Sequence, residues 1–512
     1  MEKTIIIGGG VAGLCAGIFG QLSGQNCVIL EKQKVAGGLL SGWSRGEYHI
    51  DNCMHWLVGT HPQNPLYDRW RKVGMLDQGL PIIKNTVFYE SQIGREKLAL
   101  HRDIKKTASA MLRLSPGDSK AISELLGCVS ALAELMRSPR PRHLYQHIAK
   151  GSKEAKIYTS IFLRYGRKTL DELARDFHHP LLRAILTDFI GAPFSALSWI
   201  WTYASFVAGD SDLPKGGSVL AAKRLENRFL SLGGELCTGA EVKRILHTDN
   251  MAVGVELKSG ELISGDAIIC ATDPAVTAQM LPDVASLYQS CFKGLETFSA
   301  IHLAFAVEEG ALPFENTLIF DLNSQNPLLY ATPFGHAVSG HFISPPQGRL
   351  MLKVYPPETG FAPRGECVVQ CIRFVSQEVA DQWISLSADK EKYKSAKQNY
   401  AHAVAEEIMR RFSSLHKMKY LDMWTPATYT RYTGAYRGAF LGHIAHVGAM
   451  RTKMPTKIPH LENVFLASAW QHAPSGLPVA LQMGEKAAKC ADAYLKALRK
   501  REGRRVPSQM WG

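Results

Sequence analysis

Three glycines near the start of the chain have the spacing that a phosphate-binding loop requires. Gly8, Gly10 and Gly13 form a G-x-G-x-x-G pattern. In such a loop the first glycine allows a tight turn after a strand, the second lets the backbone approach a pyrophosphate without a Cβ, and the third lets a helix pack closely on the strand. Phosphate oxygens then accept hydrogen bonds from free N–H groups at the start of that helix. Glu31 can accept hydrogen bonds from both hydroxyls of an adenosine ribose, which favours an unphosphorylated ribose over a 2′-phosphate.

The elements that must position these residues are a strand, a helix and a second strand. The apolar run of residues 5–7 predicts the first strand, and the run of residues 28–30 predicts the second. Between them, apolar residues recur at the spacing of one helix face: Leu14, Ile18 and Leu22. An isolated G-x-G-x-x-G also occurs in ordinary turns, but its place between these elements indicates a βαβ dinucleotide site.

Further blocks of motif residues run along the whole chain. They are Gly37-Gly38, Tyr48 to Gly59, Leu213 to Gly217, Leu232 to Val242, Asp266 to Pro274, Trp424 to Gly434, Glu462 to Trp470 and Pro474 to Ala488. In these blocks the sequence resembles the FAD-dependent amine oxidase superfamily, and within it the group of phytoene desaturases, carotenoid isomerases and retinol saturases. The resemblance implies an α/β fold in which a Rossmann-like FAD-binding domain of the GR2 type is interleaved with an α+β substrate domain.

The resemblance also implies FAD as the cofactor and a set of residues that hold it. These residues are Gly8, Gly10, Val11, Ala12, Gly13, Glu31, Lys32, Gly37, Gly38, Leu39, His55, Val242, Ala271, Ser468, Gly476, Leu477 and Pro478. In this group the region of Val242 lies beside the adenine, and a helix starting near Leu477 would place N–H groups by the pyrimidine end of the flavin. The chain departs from its relatives at Ser468, where they usually carry glycine, which puts the local backbone geometry in doubt.

The separated FAD blocks predict one discontinuous FAD-binding domain. We expect it to comprise residues 1–60, 214–280 and 455–497. Residues 61–213 and 281–454 would then build a substrate-binding domain with a lipophilic tunnel, and residues 498–512 a basic tail.

The candidate catalytic residues come from two of the blocks. They are His55, Tyr429, Arg431 and Tyr432. Each could handle the proton that accompanies a hydride transfer. His55 could equally be a hydrogen-bonded structural residue, the tyrosines could be wall aromatics, and Arg431 could bind the flavin or a substrate head group by its charge.

Residues 189–208 contain no charged side chain and nearly reach the length of a membrane span. Gly191, Pro193 and several hydroxyl residues interrupt the stretch, so a buried segment lining a lipophilic tunnel fits better than a transmembrane helix. The candidate substrate-contacting residues are Trp56, Phe194, Trp199, Trp201 and Tyr203.

Charge and cysteine content bear on partners and location. The net charge is +13, and residues 137–168 hold nine Lys or Arg against the single acid Glu154. Such a stretch can adsorb to anionic lipid or to an acidic carrier protein, although a solvated surface is the commoner outcome. No motif supports nucleic acid binding, and the ten cysteines lack the spacing of a zinc site. Free thiols and the absence of a signal-peptide pattern lead us to expect a cytoplasmic protein with a peripheral contact to the inner face of the membrane.

The resemblance implies hydride transfer through flavin N5 to or from a lipophilic conjugated polyene or isoprenoid. The run Met54-His55-Trp56 resembles the retinol saturase side of the group, which favours reduction of a carbon–carbon double bond. No second G-x-G-x-x-G marks a nicotinamide domain, so electrons would come from an external donor or, in desaturation, pass to an external acceptor. Desaturation and isomerisation of a carotenoid-like polyene stay open. An escort protein for prenylated partners is a non-redox alternative, against which Glu31 argues, and an amine oxidase is a third.

Overall fold

The computed structural model describes residues 2–77, 79–137, 152–293, 295–322, 349–448, 454–473 and 475–503. Its strands are β1 (Lys3–Ile7), β2 (Asn26–Glu31), β3 (Gly42–Arg45), β4 (Tyr48–Asp51), β5 (Ile82–Ile83), β6 (Val87–Ile93), β7 (Glu96–His101), β8 (Leu213–Pro214), β9 (Glu235–Thr238), β10 (Val242–Thr248), β11 (Met251–Leu257), β12 (Leu262–Ser264), β13 (Ala267–Cys270), β14 (Ser299–Glu308), β15 (Thr317–Asp321), β16 (Arg349–Tyr355), β17 (Glu366–Val375), β18 (Lys419–Trp424) and β19 (Val464–Leu466). Pro474 and residues 138–151 and 504–512, which include parts of the basic stretch and tail, lie outside the described residues.

The α-helices surround these strands. They are α1 (Val11–Leu22), α2 (Pro65–Lys72), α3 (Ile104–Leu114), α4 (Ser119–Arg137), α5 (Lys153–Tyr165), α6 (Leu170–Ala174), α7 (Pro180–Thr187), α8 (Ala196–Val207), α9 (Gly217–Ser231), α10 (Pro274–Met280), α11 (Asp283–Phe292), α12 (Gln377–Leu386), α13 (Lys390–Arg411), α14 (Pro426–Thr433) and α15 (Leu477–Gly503).

The predicted βαβ unit forms the centre of a parallel sheet, which confirms the Rossmann-like α/β prediction. The strand order is β19-β13-β1-β2-β9, and each neighbouring pair is parallel. Ile6 pairs with Ile269 on one side and with Ile29 on the other, so the first apolar run occupies the middle of the sheet. Parallel sheets are covered on both faces, which explains why β1 and β2 are nearly continuous apolar runs. The sheet collects strands from the beginning, the middle and the end of the chain.

A larger sheet forms the second part of the fold. Its strand order is β18-β14-β17-β16-β15-β6-β7, and its pairs are antiparallel except for the parallel pair β15–β6. One face packs against the helical layer from α3 to α8, and the other packs against α12 and α13. Successive side chains of a strand point to opposite faces of the sheet. Because both faces of this sheet are covered, β14 and β17 are buried along most of their length.

The uncharged stretch at residues 189–208 does not form a single helix. Its helical part is α8, which packs against α4 and buries Trp199, Ile200 and Tyr203 in the helical layer. Within the described ranges, none of the helices combines the length and the hydropathy that a membrane crossing needs.

The close packing of α1 on α15 gives a stability prediction. A Cβ at Gly484 of α15 would lie 2.5 Å from Ala12 O and 2.9 Å from Cys15 Cβ in α1. We therefore expect Gly484→Ala to lower the free energy of unfolding by about 1–3 kcal/mol, the usual cost of overpacking. The measurement is urea unfolding followed by circular dichroism.

Gly127→Ala is the matched control for that variant. Gly127 lies in α4 with no atom near the position of a new Cβ. Alanine should raise the free energy of unfolding there by roughly 0.5–1 kcal/mol, because it restricts the unfolded chain. A stabilised Gly484→Ala variant would contradict the close approach of the two helices.

Candidate active site

The glycine loop after β1 has the geometry of a pyrophosphate cradle. Gly8 has a φ of 104°, and its N–H donates to Leu30 O at 2.8 Å. Gly10 stands at the start of α1 with no side-chain cap, and a Cβ at Gly38 would lie 3.1 Å from its Cα. A Cβ at Gly13 would overlap Gly8 O, so the loop accepts only glycine there. Because these glycines pack closely without side chains, the N–H groups of Val11 and Ala12 at the start of α1 lie beside backbone alone. This arrangement fits a phosphate group.

Glu31 is oriented toward this loop by backbone hydrogen bonds. Its Oε2 accepts from Gly9 N at 2.7 Å and its Oε1 from Gln33 N at 2.8 Å, and the residue is 7% exposed. The carboxylate therefore stands at the carboxyl end of β2 next to the cradle, where it fits the ribose of a dinucleotide. Ala240 N donates to Glu31 O at 2.9 Å, which brings the start of β10 and the buried Val242 to the same edge.

The remaining residues predicted to hold FAD come from three other segments. Ala271 N donates to Ile7 O at 2.8 Å, so the end of β13 lies beside the cradle. At Ser468 the φ is −131°, which any residue adopts, and the side chain accepts from Trp470 N at 3.3 Å. The serine that replaces glycine therefore caps a short turn without backbone strain. Gly476 has a φ of 121° immediately before α15, a conformation that favours glycine.

A buried carboxylate holds the segment that follows β4. Asp51 Oδ1 accepts from the N–H groups of Cys53 at 3.0 Å and Met54 at 2.8 Å. The N–H and the hydroxyl of Ser218, in the first turn of α9, each donate to this carboxylate at 2.6 Å. Gly217 has a φ of 55°, and a Cβ there would overlap Asp51 Oδ2. Asp51 thus joins β4, the next loop and α9 at one point.

His55 lies in this clamped segment, and its imidazole is neutral at physiological pH. Its Nε2 is shielded from solvent and has no hydrogen-bond partner among the residues that the structure describes. Burial lowers the pKa of His55 to about 4, the charge of Lys353 acts in the same direction, and a hydrogen bond with Gln370 opposes both. The ring is therefore a weak base with one nitrogen free for an incoming group.

His302 on β14 is a site residue that the sequence prediction missed. Both of its ring nitrogens are buried and lack hydrogen-bond partners within the described part of the chain. The ring stacks on Trp424 with 5.0 Å between centroids and packs against Phe440 at the same distance. Burial, reinforced by His55, holds the pKa of His302 well below its usual range. Since buried polar groups normally have partners, these free nitrogens fit a polar group such as the edge of a flavin.

A small cavity lies beside His55, between the large sheet and the helical layer. Its apolar wall consists of Trp56, Phe88, Phe189, Phe206, Met351 and Ile372, and its polar wall includes Asn85, Ser211, Asn316, Thr317 and Lys353. His302 pairs with Ile372, and Ile372 with Met351, so the histidine belongs to the same sheet face. The aromatic wall favours an apolar ligand.

Of the four predicted catalytic residues, only His55 lines the cavity. Tyr429 is 2% exposed, and its hydroxyl accepts from Trp424 Nε1 at 2.9 Å and donates to Asn52 Oδ1 at 3.2 Å. It therefore braces the loop that carries His55. Arg431 and Tyr432 are exposed on α14, and the structure does not bring them to the cavity.

Of the five predicted substrate-contacting residues, only Trp56 lines the cavity. Phe194, Trp199 and Tyr203 are buried in the core of the helical layer, where Trp199 Nε1 donates to the Tyr89 hydroxyl at 2.9 Å. Trp201 is 43% exposed on the outer face of α8. The uncharged stretch predicted a buried segment, and Phe194, Trp199 and Tyr203 are indeed buried, but the stretch could not specify which neighbours cover them.

The sequence carried weak signals for the residues that were missed. His302 is the one titratable residue in the run Ser-Ala-Ile-His-Leu-Ala-Phe, and Lys353 is a single charge between Leu352 and Val354. A lone polar residue in a strand buried on both faces needs a partner or a function.

Comparisons with known proteins agree with this geometry. A family model described as flavin containing amine oxidoreductase matches residues 11–337. Prolycopene isomerase 2 from an Oncidium hybrid cultivar is 24% identical over 480 residues, which are 88% of this chain and 76% of that protein. A neurosporene-forming phytoene desaturase from Cereibacter sphaeroides is 24% identical over 311 residues, 55% of this chain and 54% of its own. A solved oxidoreductase from Methanosarcina mazei shares the fold, with a TM-score of 0.57 at 16% identity over 95% of this chain and 99% of its own.

The low pKa of His302 gives a pH-dependent stability prediction. Below its ordinary value of about 6.5 the unfolded chain binds a proton at this residue and the folded chain does not, so stability falls as pH falls. His302→Phe keeps a ring and removes the titration. We expect the unfolding free energy of the variant, relative to wild type, to rise by about 1.4 kcal/mol for each pH unit below 6.5.

Urea unfolding of the FAD-loaded protein at pH 7, 6 and 5 measures this difference. His416→Phe serves as the control because His416 is exposed. The unfolding free energy of the control should differ from that of the wild-type protein by the same amount at each pH. A difference for His302→Phe that does not change with pH would contradict the buried, neutral state.

Proposed function

This chain belongs to the family of flavin-containing amine oxidoreductases, with FAD as its cofactor, and we propose that it reduces a carbon–carbon double bond of a lipophilic conjugated polyene. The observation that carries the proposal is the apolar cavity beside His55, whose wall is mostly aromatic and aliphatic. Bound FAD supplies hydride chemistry at its N5. The chain's own residues orient an apolar substrate and exclude water from it.

The low basicity of His55 supports the reductive direction. Desaturation must remove a proton from carbon, and His55 with a pKa of about 4 is a poor acceptor for it. Reduction instead delivers one hydride and one proton to the two carbons of the double bond. The hydroxyls of Ser211 and Thr317 line the cavity and can relay that proton. The run Met54-His55-Trp56 adds its resemblance to the retinol saturase side of the group.

Isomerisation is the second candidate. It needs no net exchange of protons or electrons, so the weakly basic His55 suits it as well. The match to prolycopene isomerase 2 over 88% of the chain favours it specifically. Net reduction would draw its electrons from a separate redox partner or from a transiently bound nucleotide.

An anaerobic spectroscopic assay distinguishes these reactions. The FAD-loaded protein is mixed with all-trans-retinol or a carotene, once oxidised and once reduced with dithionite. We expect a blue shift of the polyene absorption with the reduced protein only, because each saturation shortens the conjugated system. A red shift with the oxidised protein would mean desaturation, and a product with an unchanged number of double bonds but altered chromatographic retention would mean isomerisation. Either result would contradict the reductive proposal.

Two glycine variants show whether the assay depends on the cofactor cradle. Gly38 and Gly46 have φ values of 60° and 61°, so alanine strains the backbone similarly at both. Only the Cβ at position 38 would crowd Gly10, whereas position 46 is open. Gly38→Ala should lose FAD and activity, and Gly46→Ala should keep both.

We also infer that the outer surface of α5 and α8 contacts an anionic membrane, from which a polyene can enter. Phe162 and Leu163 are 49% and 77% exposed, and Trp201 stacks on Tyr158 with 6.0 Å between ring centroids. The exposed cations of this surface that belong to the described residues include Lys153, Lys156 and Arg167. Apolar side chains beside basic ones are the composition of an interfacial surface.

Sedimentation with phosphatidylserine vesicles tests this surface. Replacing Phe162 and Leu163 by serine should weaken binding by about tenfold or more, because each loses about 1.5–3 kcal/mol of apolar burial in the interface. Leu262→Ser is the control, since Leu262 is 66% exposed on the distant β11–β12 hairpin. Equal binding of the double variant and wild type would contradict the proposed contact.

A further inference from the structure

Lys353 is a buried cation in the wall of the cavity. It lies on β16 and is 4% exposed. Across the sheet it pairs with Thr317 on one side and Gln370 on the other, so its side chain rises from the same face as Met351. The ammonium group therefore sits where an otherwise apolar cavity becomes polar.

The hydrogen bonds around Lys353 leave part of its ammonium group unused. Asn316 Oδ1 accepts from Lys353 Nζ. The Asn316 amide donates to Val87 O at 2.9 Å and to Phe88 O at 2.7 Å, which fixes its oxygen toward the lysine. An ammonium has three donors. Among the described residues, no carboxylate lies within 4.0 Å of Nζ.

Arg349, four residues earlier on the same strand, shows the usual arrangement. It is also buried, and its guanidinium donates to both carboxylate oxygens of Asp188, at 2.7 Å and 2.6 Å, and to the Ser91 hydroxyl at 2.7 Å. One buried cation of β16 therefore has an internal carboxylate, and the other faces a cavity instead.

Besides Asn316, the ammonium has the Tyr355 ring 5.6 Å away. A buried ammonium with no carboxylate partner among the described residues is costly, and this points to a ligand that completes it. Burial lowers the pKa of Lys353 to about 7, so the cation is substantially populated near neutral pH. An anionic ligand would stabilise the charged form. Asn85, Ser211 and Thr317 line the same cavity and can donate to further oxygens of that ligand.

We propose that Lys353 binds a carboxylate at one end of the substrate, so that the preferred ligand is a polyene carboxylic acid and not a hydrocarbon. This inference rests on the proposed function, since it assigns a head group to the polyene of the same cavity. The aromatic wall holds the conjugated chain beside His55, and the ammonium fixes which end enters first. Lys353 is a specificity-determining residue in this arrangement.

Ligand binding to the FAD-loaded protein tests the head group directly. The probes are all-trans-retinoic acid and its methyl ester, which share the polyene and differ in charge. Quenching of tryptophan fluorescence reports binding, because Trp56 lines the cavity. We expect the acid to bind at least about tenfold more tightly than the ester in the wild-type protein, as a charge-assisted hydrogen bond would provide.

Lys353→Met should remove this preference, mainly by weakening the binding of the acid. Methionine preserves most of the volume, and replacing an unpaired buried charge by an apolar side chain is usually tolerated. Lys417→Met is the control, because Lys417 is exposed, and it should keep the wild-type preference. If the variant does not fold, the comparison of acid and ester in the wild-type protein still shows whether the cavity holds a carboxylate site, and equal binding still overturns the inference.

Each other outcome overturns a defined part of the argument. Equal binding of acid and ester to the wild-type protein would overturn the carboxylate site and leave the polyene proposal standing. Binding of neither probe would overturn the polyene proposal itself, and the head group with it. A Lys353→Met variant that shifts the flavin absorption spectrum but keeps the preference would mean that the lysine serves the cofactor.

Discussion

The buried carboxylate of Asp51 is the interaction on which the site depends. It accepts hydrogen bonds from the loop that carries His55 and from the start of α9, and its backbone carbonyl accepts from Gln370 on the large sheet. Burial raises the pKa of Asp51, and the hydrogen bonds oppose this by stabilising its charge. Gly217 is required beside it, because a Cβ would overlap the carboxylate. The carboxylate and the backbone carbonyl of Asp51 together thereby join the loop of His55, the start of α9 and the large sheet.

The electrostatics of the large sheet differ sharply along its inner face. At one place a full ion pair, Arg349 with Asp188, is enclosed and satisfied. Nearby, His55 and His302 are kept neutral by burial, and Lys353 has a single side-chain acceptor among the described residues. Polar groups that are left unpaired in a packed interior are expensive, and they concentrate at functional sites where a ligand completes them. The polar side chains of this face that lack hydrogen-bond or charge partners therefore indicate the functional site more clearly than the shape of the cavity does.

The cradle and the cavity obey different physical constraints. The cradle depends on backbone proximity: Gly8, Gly10 and Gly38 admit a pyrophosphate because they lack side chains. The cavity depends on side chains that several distant strands and helices contribute, and on the water that they exclude. A common flavin chemistry can thus serve many substrates, since the cavity can change while the cradle stays the same.

The sequence by itself predicted the cofactor and a candidate site for it, because the glycine spacing and Glu31 act within one βαβ unit whose geometry is local. It also indicated the Rossmann-like fold, from the apolar runs around the glycine loop, and the burial of Trp199 and Tyr203, from the absence of charge in residues 189–208. Only the tertiary structure decided that His302 and Lys353 meet His55, from strands about 250 and 300 residues farther along the chain. The sheet face from which His302 and Lys353 project depends on the strand register. A shift of one residue would point each side chain to the opposite face. Long-range register is set by the packing of the whole sheet, which no short stretch of sequence specifies.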